Sequence, residues 1–171
     1  MAITKYTKTC GKNIPGSSRI FFTEAANITS ITVTDDQVSA LTMESNTNFA
    51  EFAADLDSIK MTVEGKGSTS YSKTLKLEAK FSKKTKDLIA AESALADAVA
   101  CGVAVIRVDN NGYAWLSGYT LNDKNKRAYT KITSTFDSGT KPSDEDTAAY
   151  TITLEAEGFE DEMPFDATLT A

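Results

Sequence analysis

The stretch Tyr71-Ser72-Lys73-Thr74-Leu75-Lys76-Leu77-Glu78-Ala79-Lys80-Phe81 alternates more cleanly than any other part of the chain. Tyr71, Lys73, Leu75, Leu77, Ala79 and Phe81 fall on one side, with Lys76, Glu78 and Lys80 among those on the other. Side chains of a strand point alternately to its two faces, so a period of two predicts a strand with one dry and one wet face. That is the behaviour of an antiparallel sheet. Just before it, Gly65-Lys66-Gly67-Ser68 reads as a flexible turn, and Ile59, Met61 and Val63 share a face on its far side. The centre of the sequence is therefore expected to be a strand, a turn and a strand.

Towards the amino terminus the same texture recurs. Arg19 to Phe22, Ile28 to Thr34 (Ile31 and Val33 on one face) and Val38 to Met43 are expected strands. Phe49 to Asp55 is ambiguous, because Phe49 and Phe52 lie three apart as in a helical turn. Residues 1–18 are polar and carry Gly11, Pro15 and Gly16, which reads as an arm ahead of one β-rich domain at 19–171. Towards the carboxyl terminus, Ser82 is the expected N-cap of a helix over 83–100 whose stripe is Leu88, Ala91, Leu95 and Val99. Lys83, Lys84 and Lys86 in its first turn oppose the helix dipole, so they are expected in solvent or against a partner's carboxylates. Gly102 to Val108 reads as a central strand, Asp109-Asn110-Asn111-Gly112 as a hairpin turn, and Tyr113 to Tyr119 as its partner strand. Leu121 to Arg127 is a charged loop. Tyr129 to Phe136 and Tyr150 to Ala156 are strands joined by the loop Asp137 to Thr147, and a last strand is expected at Phe165 to Leu169. Threonine fills 23 of the 171 positions, a density that suits strand surfaces. The expected fold is mainly β: an antiparallel sandwich or barrel of about eight to ten strands with one flanking helix.

A chain of this length is the size of one domain, and 41% apolar with 25% charged residues is an ordinary globular mix. The net charge of -6 argues against a surface that coats nucleic acid. Nothing approaches the roughly 20 apolar residues of a membrane span, and Met1 to Gly16 lacks an apolar signal core, so neither export by that route nor a membrane is expected. Cys10 and Cys101 are expected as two reduced thiols, with a single disulfide between them the lesser alternative. Histidine is absent, which removes the commonest general base and the commonest zinc ligand. The carboxylate groupings Asp35 with Asp36, Asp55 with Asp57, and Asp144-Glu145-Asp146 read as solvated turn residues. The calcium-like Asp109-Asn110-Asn111 run lacks the rest of a calcium loop. Neither catalysis, metal nor cofactor is expected. Lys124, Lys126 and Arg127, near Tyr129, form a small basic patch that could contact nucleic acid, but a lone patch in an acidic domain more often makes salt bridges across a protein interface or stays in solvent. Tyr113, Trp115 and Tyr119 on one strand face offer the alternative of a platform for a carbohydrate or peptide, against the plainer reading that they are core.

In order and texture the chain resembles the tail-tube proteins of tailed bacteriophages, the short single-domain kind of gut-anaerobe phages and prophages. The likeness is carried by Pro15-Gly16-Ser17-Ser18-Arg19-Ile20-Phe21-Phe22, Ile28-Thr29-Ser30-Ile31-Thr32, the strand pair before the helix, and Val103 to Asn111. Gly112-Tyr113-Ala114-Trp115-Leu116-Ser117-Gly118 and Tyr150 to Leu154 complete it, so that it covers roughly residues 11–158. The resemblance implies subunits that form rings (hexameric in a tail tube) which stack around a channel for DNA, with an acidic wall along which DNA slides without specific binding. It implies a virion location after synthesis in the host bacterial cytoplasm, and partners among copies of itself and other tail or connector proteins. By position, the arm and the segment from Phe49 to Asp57 would contact neighbouring subunits. The interface candidates are Lys5, Lys8, Lys12, Arg19, Phe49, Phe52, Lys83, Lys84, Lys86, Lys124, Lys126 and Arg127. A capsid-associated or decoration protein is a further alternative.

Overall fold

The computed structural model describes residues 13–119, 128–143, 149–158 and 160–166. Before the helix run β1 (Ser17–Glu24), β2 (Ile28–Thr34), β3 (Gln37–Met43), β4 (Ala50–Phe52), β5 (Lys60–Lys66) and β6 (Ser72–Phe81). After α1 (Lys86–Cys101) come β7 (Val103–Asp109), β8 (Ala114–Ser117), β9 (Lys131–Asp137), β10 (Ala149–Gly158) and β11 (Met163–Phe165). They form a seven-stranded sheet in the order β2-β3-β11-β8-β7-β1-β4 and a four-stranded sheet in the order β5-β6-β10-β9. Neighbours are antiparallel except β3 and β11, which run parallel and meet at Val38 and Phe165. Among the described residues neither sheet closes on itself, so the fold is a two-sheet structure and the barrel alternative is set aside.

The alternation read in residues 71–81 is the frame of the first core. Leu75, Leu77, Ala79 and Phe81 of β6 join Tyr150, Ile152, Leu154 and Ala156 of β10, directly opposite in register, and pack on Ile20, Phe22, Val103 and Val105 of the large sheet. Leu95 and Val99 of α1 close this core, while Leu88 packs at its margin. A second core lies on the other face of the large sheet, where Ile28, Ile31 and Val38 pack with Phe21, Ala104, Ile106 and Leu116. The central strands β1 and β7 are therefore covered on both faces, which is why Val103 to Ile106 reads as an unbroken apolar run.

Several local expectations need correction. The helix begins three residues late: Thr85, not Ser82, is the N-cap, and its Oγ1 accepts from the Leu88 N–H at 3.1 Å. Lys83 and Lys84 therefore precede the helix, and only Lys86, beside Asp87, lies in its first turn. Ile31 and Val33 do not share the core, because the register shifts between Thr32 and Val33 and leaves Val33 exposed. Phe49 and Phe52 belong to a short strand and its approach, not to a helical turn. Phe49 is buried in the second core and Phe52 packs edge-on to Phe22 at 4.8 Å in the first. The last described strand is Met163–Phe165, which overlaps the expected Phe165 to Leu169 only at Phe165; residues 167–169 lie outside the described residues.

Candidate assembly surface

The four-stranded sheet separates its chemistry by face. Inward side chains make the first core; outward ones are charged residues and threonines. Cross-strand neighbours on the outer face include Lys60 with Glu78, Lys76 with Glu155, and Lys131 with Glu155. Lysines 60, 66, 76, 80 and 131 stand against acidic residues 64, 78, 137, 155 and 157, so this face carries no net charge. Threonines 62, 74, 133, 135, 151 and 153 fill the space between them. The pairs Lys131–Glu157 and Lys66–Glu64, each at 3.1 Å, are exposed and contribute little to stability.

The two edges of this sheet are its second distinctive feature. β5 pairs only with β6, and β9 only with β10, among the described residues. Both are seven residues long, and β9 is exposed nearly throughout, with the sequence Lys-Ile-Thr-Ser-Thr-Phe-Asp. A long, β-prone edge with unpaired N–H and C=O groups is a template for another strand; charges such as Lys60, Lys66 and Lys131 guard it against unspecific pairing and leave a partner of matching charge favoured. Register runs without a shift from β5 through β6 and β10 to β9. Along a strand, residues on one face send their backbone groups to the same side, so four alternating strands leave the free groups of β5 and β9 on residues of the same face. The two edges are thus complementary in direction, hydrogen-bonding phase and face.

The expected interface residues are scattered with respect to these edges. Arg19 is held within the chain: its guanidinium donates to both Glu51 oxygens at 2.7 and 2.8 Å and lies over the Phe21 ring at 4.7 Å. The bond raises the Arg19 pKa and lowers that of Glu51. Phe49 and Phe52 are core residues, as described above. Lys83, Lys84 and Lys86 are exposed, and Lys84 sits 4.5 Å from the centre of the Phe136 ring on β9, so this cluster flanks one edge. Lys5, Lys8, Lys12, Lys124, Lys126 and Arg127 lie outside the described residues. Of the arm, residues 13–16 dock on the β7–β8 turn. There Asn110 Nδ2 donates to the Pro15 carbonyl at 2.7 Å, and the Ile14 N–H donates to Asn111 Oδ1 at 2.9 Å. Ser17 and Ser18 are already strand.

The three aromatic residues proposed as a platform do not form one. Tyr113 is 67% exposed, but Tyr119 is 3% exposed within the second core. Trp115 is half-buried; its Nε1 donates to Asp109 Oδ2 at 3.0 Å, and the Arg107 guanidinium lies 5.7 Å from its ring centre. The Asp109 carboxylate also accepts from the N–H groups of Asn111 and Tyr113, so it organises the hairpin turn. Asp35 and Asp36 form the β2–β3 turn, both at positive φ (51° and 62°) as a two-residue hairpin requires. Asp55 and Asp57 border an open cavity of about 510 Å³ at one end of the wet face, shared with Lys60, Glu78 and Lys80. Asp144, Glu145 and Asp146 lie outside the described residues, as does Cys10; Cys101 is an exposed free thiol. Among the described residues no three potential metal ligands come together, and no helix is long and apolar enough to cross a membrane. The matched edges of the small sheet, free among the described residues, are what sequence reasoning missed, because neither pairing partners nor their absence leaves a local signal. No family model, no curated protein and no solved structure matches this chain.

Proposed function

We propose that this chain is a structural subunit that assembles with copies of itself into a ring, and that the ring belongs to the tube or a related ring of a bacteriophage tail. The observation that carries this reading is the pair of phase-matched edges on the four-stranded sheet, free among the described residues. Joining β9 of one copy to β5 of the next repeats the antiparallel pattern already present inside each sheet. Such a head-to-tail contact is heterologous, and it generates a ring when its rotation closes. The dry face of the small sheet is already covered by the large sheet and α1. The wet face is left to line the hole, and the phage assignment rests on the resemblance in strand order and sequence texture.

The lining so formed differs from the acidic wall first expected. Its lysines and carboxylates balance, and the chain's excess negative charge lies elsewhere. A balanced, threonine-rich wall offers a passing phosphate backbone neither a dense cationic track nor a uniform anionic barrier. Electron microscopy of the purified protein tests the proposal. Rings with a central hole are expected for the full chain, and comparison with a chain lacking residues 1–12 reads the contribution of that segment. Deletion should stop there, since residues 13–18 hold the β7–β8 turn and begin β1. A protein that stays monomeric at high concentration, even with candidate tail subunits added, overturns the proposal.

A further inference from the structure

We infer the register of the contact between copies: β9 of one copy runs antiparallel to β5 of the next with Lys131 opposite Glu64, Thr133 opposite Thr62 and Thr135 opposite Lys60. The inference rests on the ring reading above and specifies the partner as a second copy of this chain. Wet-face residues of one edge must oppose wet-face residues of the other, because a one-residue slip would turn every side chain to the wrong face. The seam can therefore shift only in steps of two, and each allowed step has a different set of opposed charges.

The register stated opposes an ammonium to a carboxylate at Lys131 and Glu64, a threonine to a threonine, and Ile132 to Val63 on the dry face. Asp137 then lies diagonally from Lys60 on the wet face, a second favourable approach. Moving two residues one way places Asp137 opposite Lys60, but it also sets Lys131 opposite Lys66 and Ile132 opposite Gly65, so like charges meet at one end and an apolar contact is lost. Moving two residues the other way opposes Lys131 to Thr62 and Thr133 to Lys60, leaving no opposed ion pair. One end of the seam is bounded by the large sheet. Ile59 bridges Ser17 of β1, so the free edge of β5 begins at Lys60. The inferred register stops pairing there, at Thr135, and leaves Phe136 beyond the seam, where Lys84 already covers its ring.

Engineered cysteines test this in chains whose Cys10 and Cys101 are replaced by serine. One chain carries Thr62→Cys, a second Thr133→Cys and a third Thr135→Cys; they are mixed in pairs and mildly oxidised. Directly opposed positions in a sheet lie about 4.5–5.5 Å apart between Cα atoms, within reach of a disulfide. The pair of Thr62→Cys with Thr133→Cys should cross-link at least tenfold more than Thr62→Cys with Thr135→Cys. A single chain carrying both Thr62→Cys and Thr133→Cys should give a ladder of covalent oligomers on a non-reducing gel. Preferential linkage to position 135 overturns the register while leaving the ring reading intact. Rings visible by microscopy without linkage at either position overturn the inferred register. Failure of every chain to assemble overturns both.

Discussion

Gly118 shows how one residue redirects a strand that looks regular on paper. It follows β8 at φ 77°, a left-handed conformation that costs other residues strain, and a Cβ there would lie 2.6 Å from the Val103 carbonyl oxygen and 2.8 Å from the Tyr129 ring. The chain changes course there, and Tyr119 enters the second core instead of staying on the strand face of Tyr113, Trp115 and Ser117. The alternation of Tyr113, Trp115 and Tyr119 was legible; the break at Gly118 was not, because a glycine does not announce its φ. Gly118→Ala should destabilise the fold by about 2–4 kcal/mol through combined strain and overpacking, read as a lower denaturant midpoint. An unchanged midpoint would show that β7 and the Tyr129 ring move aside. Beneath this glycine the Tyr129 hydroxyl, fully buried, pairs with Ser117 Oγ at 2.9 Å, which satisfies both groups away from water.

At the scale of elements, the shortest strands of the large sheet are the ones the sequence conceals: β11 joins its two parts and β4 lies at its edge. β4 and β11 have three residues each, too few for a period to register. β11 nevertheless joins the β2–β3 hairpin to β8, pairing with Ala114 to Leu116 on one side and Val38 on the other. It is anchored by Glu162, whose carboxylate takes a two-pronged contact from Arg107 at 2.5 and 2.6 Å; the side chains are 7% and 14% exposed respectively. Arg107 also donates to Ser17 Oγ at 3.1 Å, so a single guanidinium ties β1, β7 and the approach to β11. Glu162→Gln removes one charge of a largely buried pair and should cost about 3 kcal/mol or more. Faster hydrogen exchange should appear at β11 and β3 before the small sheet; uniform protection would mean the clamp is dispensable. The helix illustrates the opposite case. Its apolar stripe was plain, but Ser82 and Thr85 are both competent caps, and only the packing of Leu88 against the first core chooses between them.

For the whole molecule, alternation made the small sheet legible, since one face is dry from Leu75 to Phe81 and from Tyr150 to Ala156, although Tyr71, expected on that face, is exposed ahead of β6. Its free edges were not legible, because the order β5-β6-β10-β9 arises from pairing across long stretches of chain. The fold as a unit should weaken in alkali. Burial pushes the Tyr129 hydroxyl far above its ordinary value of 10.0, and burial raises Tyr119 as well. The folded chain keeps protons that the unfolded chain has lost, so unfolding releases protons at high pH. Stability is complete below about pH 10 and falls as the pH rises beyond it, by up to about 1.4 kcal/mol per pH unit for each such tyrosine. Lys73, raised by its hydrogen bond to Asp161, acts with the same sign as it loses its proton. Denaturation followed across this range should show the decline, and Tyr129→Phe should flatten it; an equal slope in that variant would remove Tyr129 as the cause. The position of β11 has one more consequence, for a chain emerging from the ribosome. Among the described strands it is synthesised last, yet the β2–β3 hairpin, made early, pairs with the rest of its sheet only through it. The nascent chain must hold that hairpin in waiting, which delays completion of the large sheet until translation has passed Phe165.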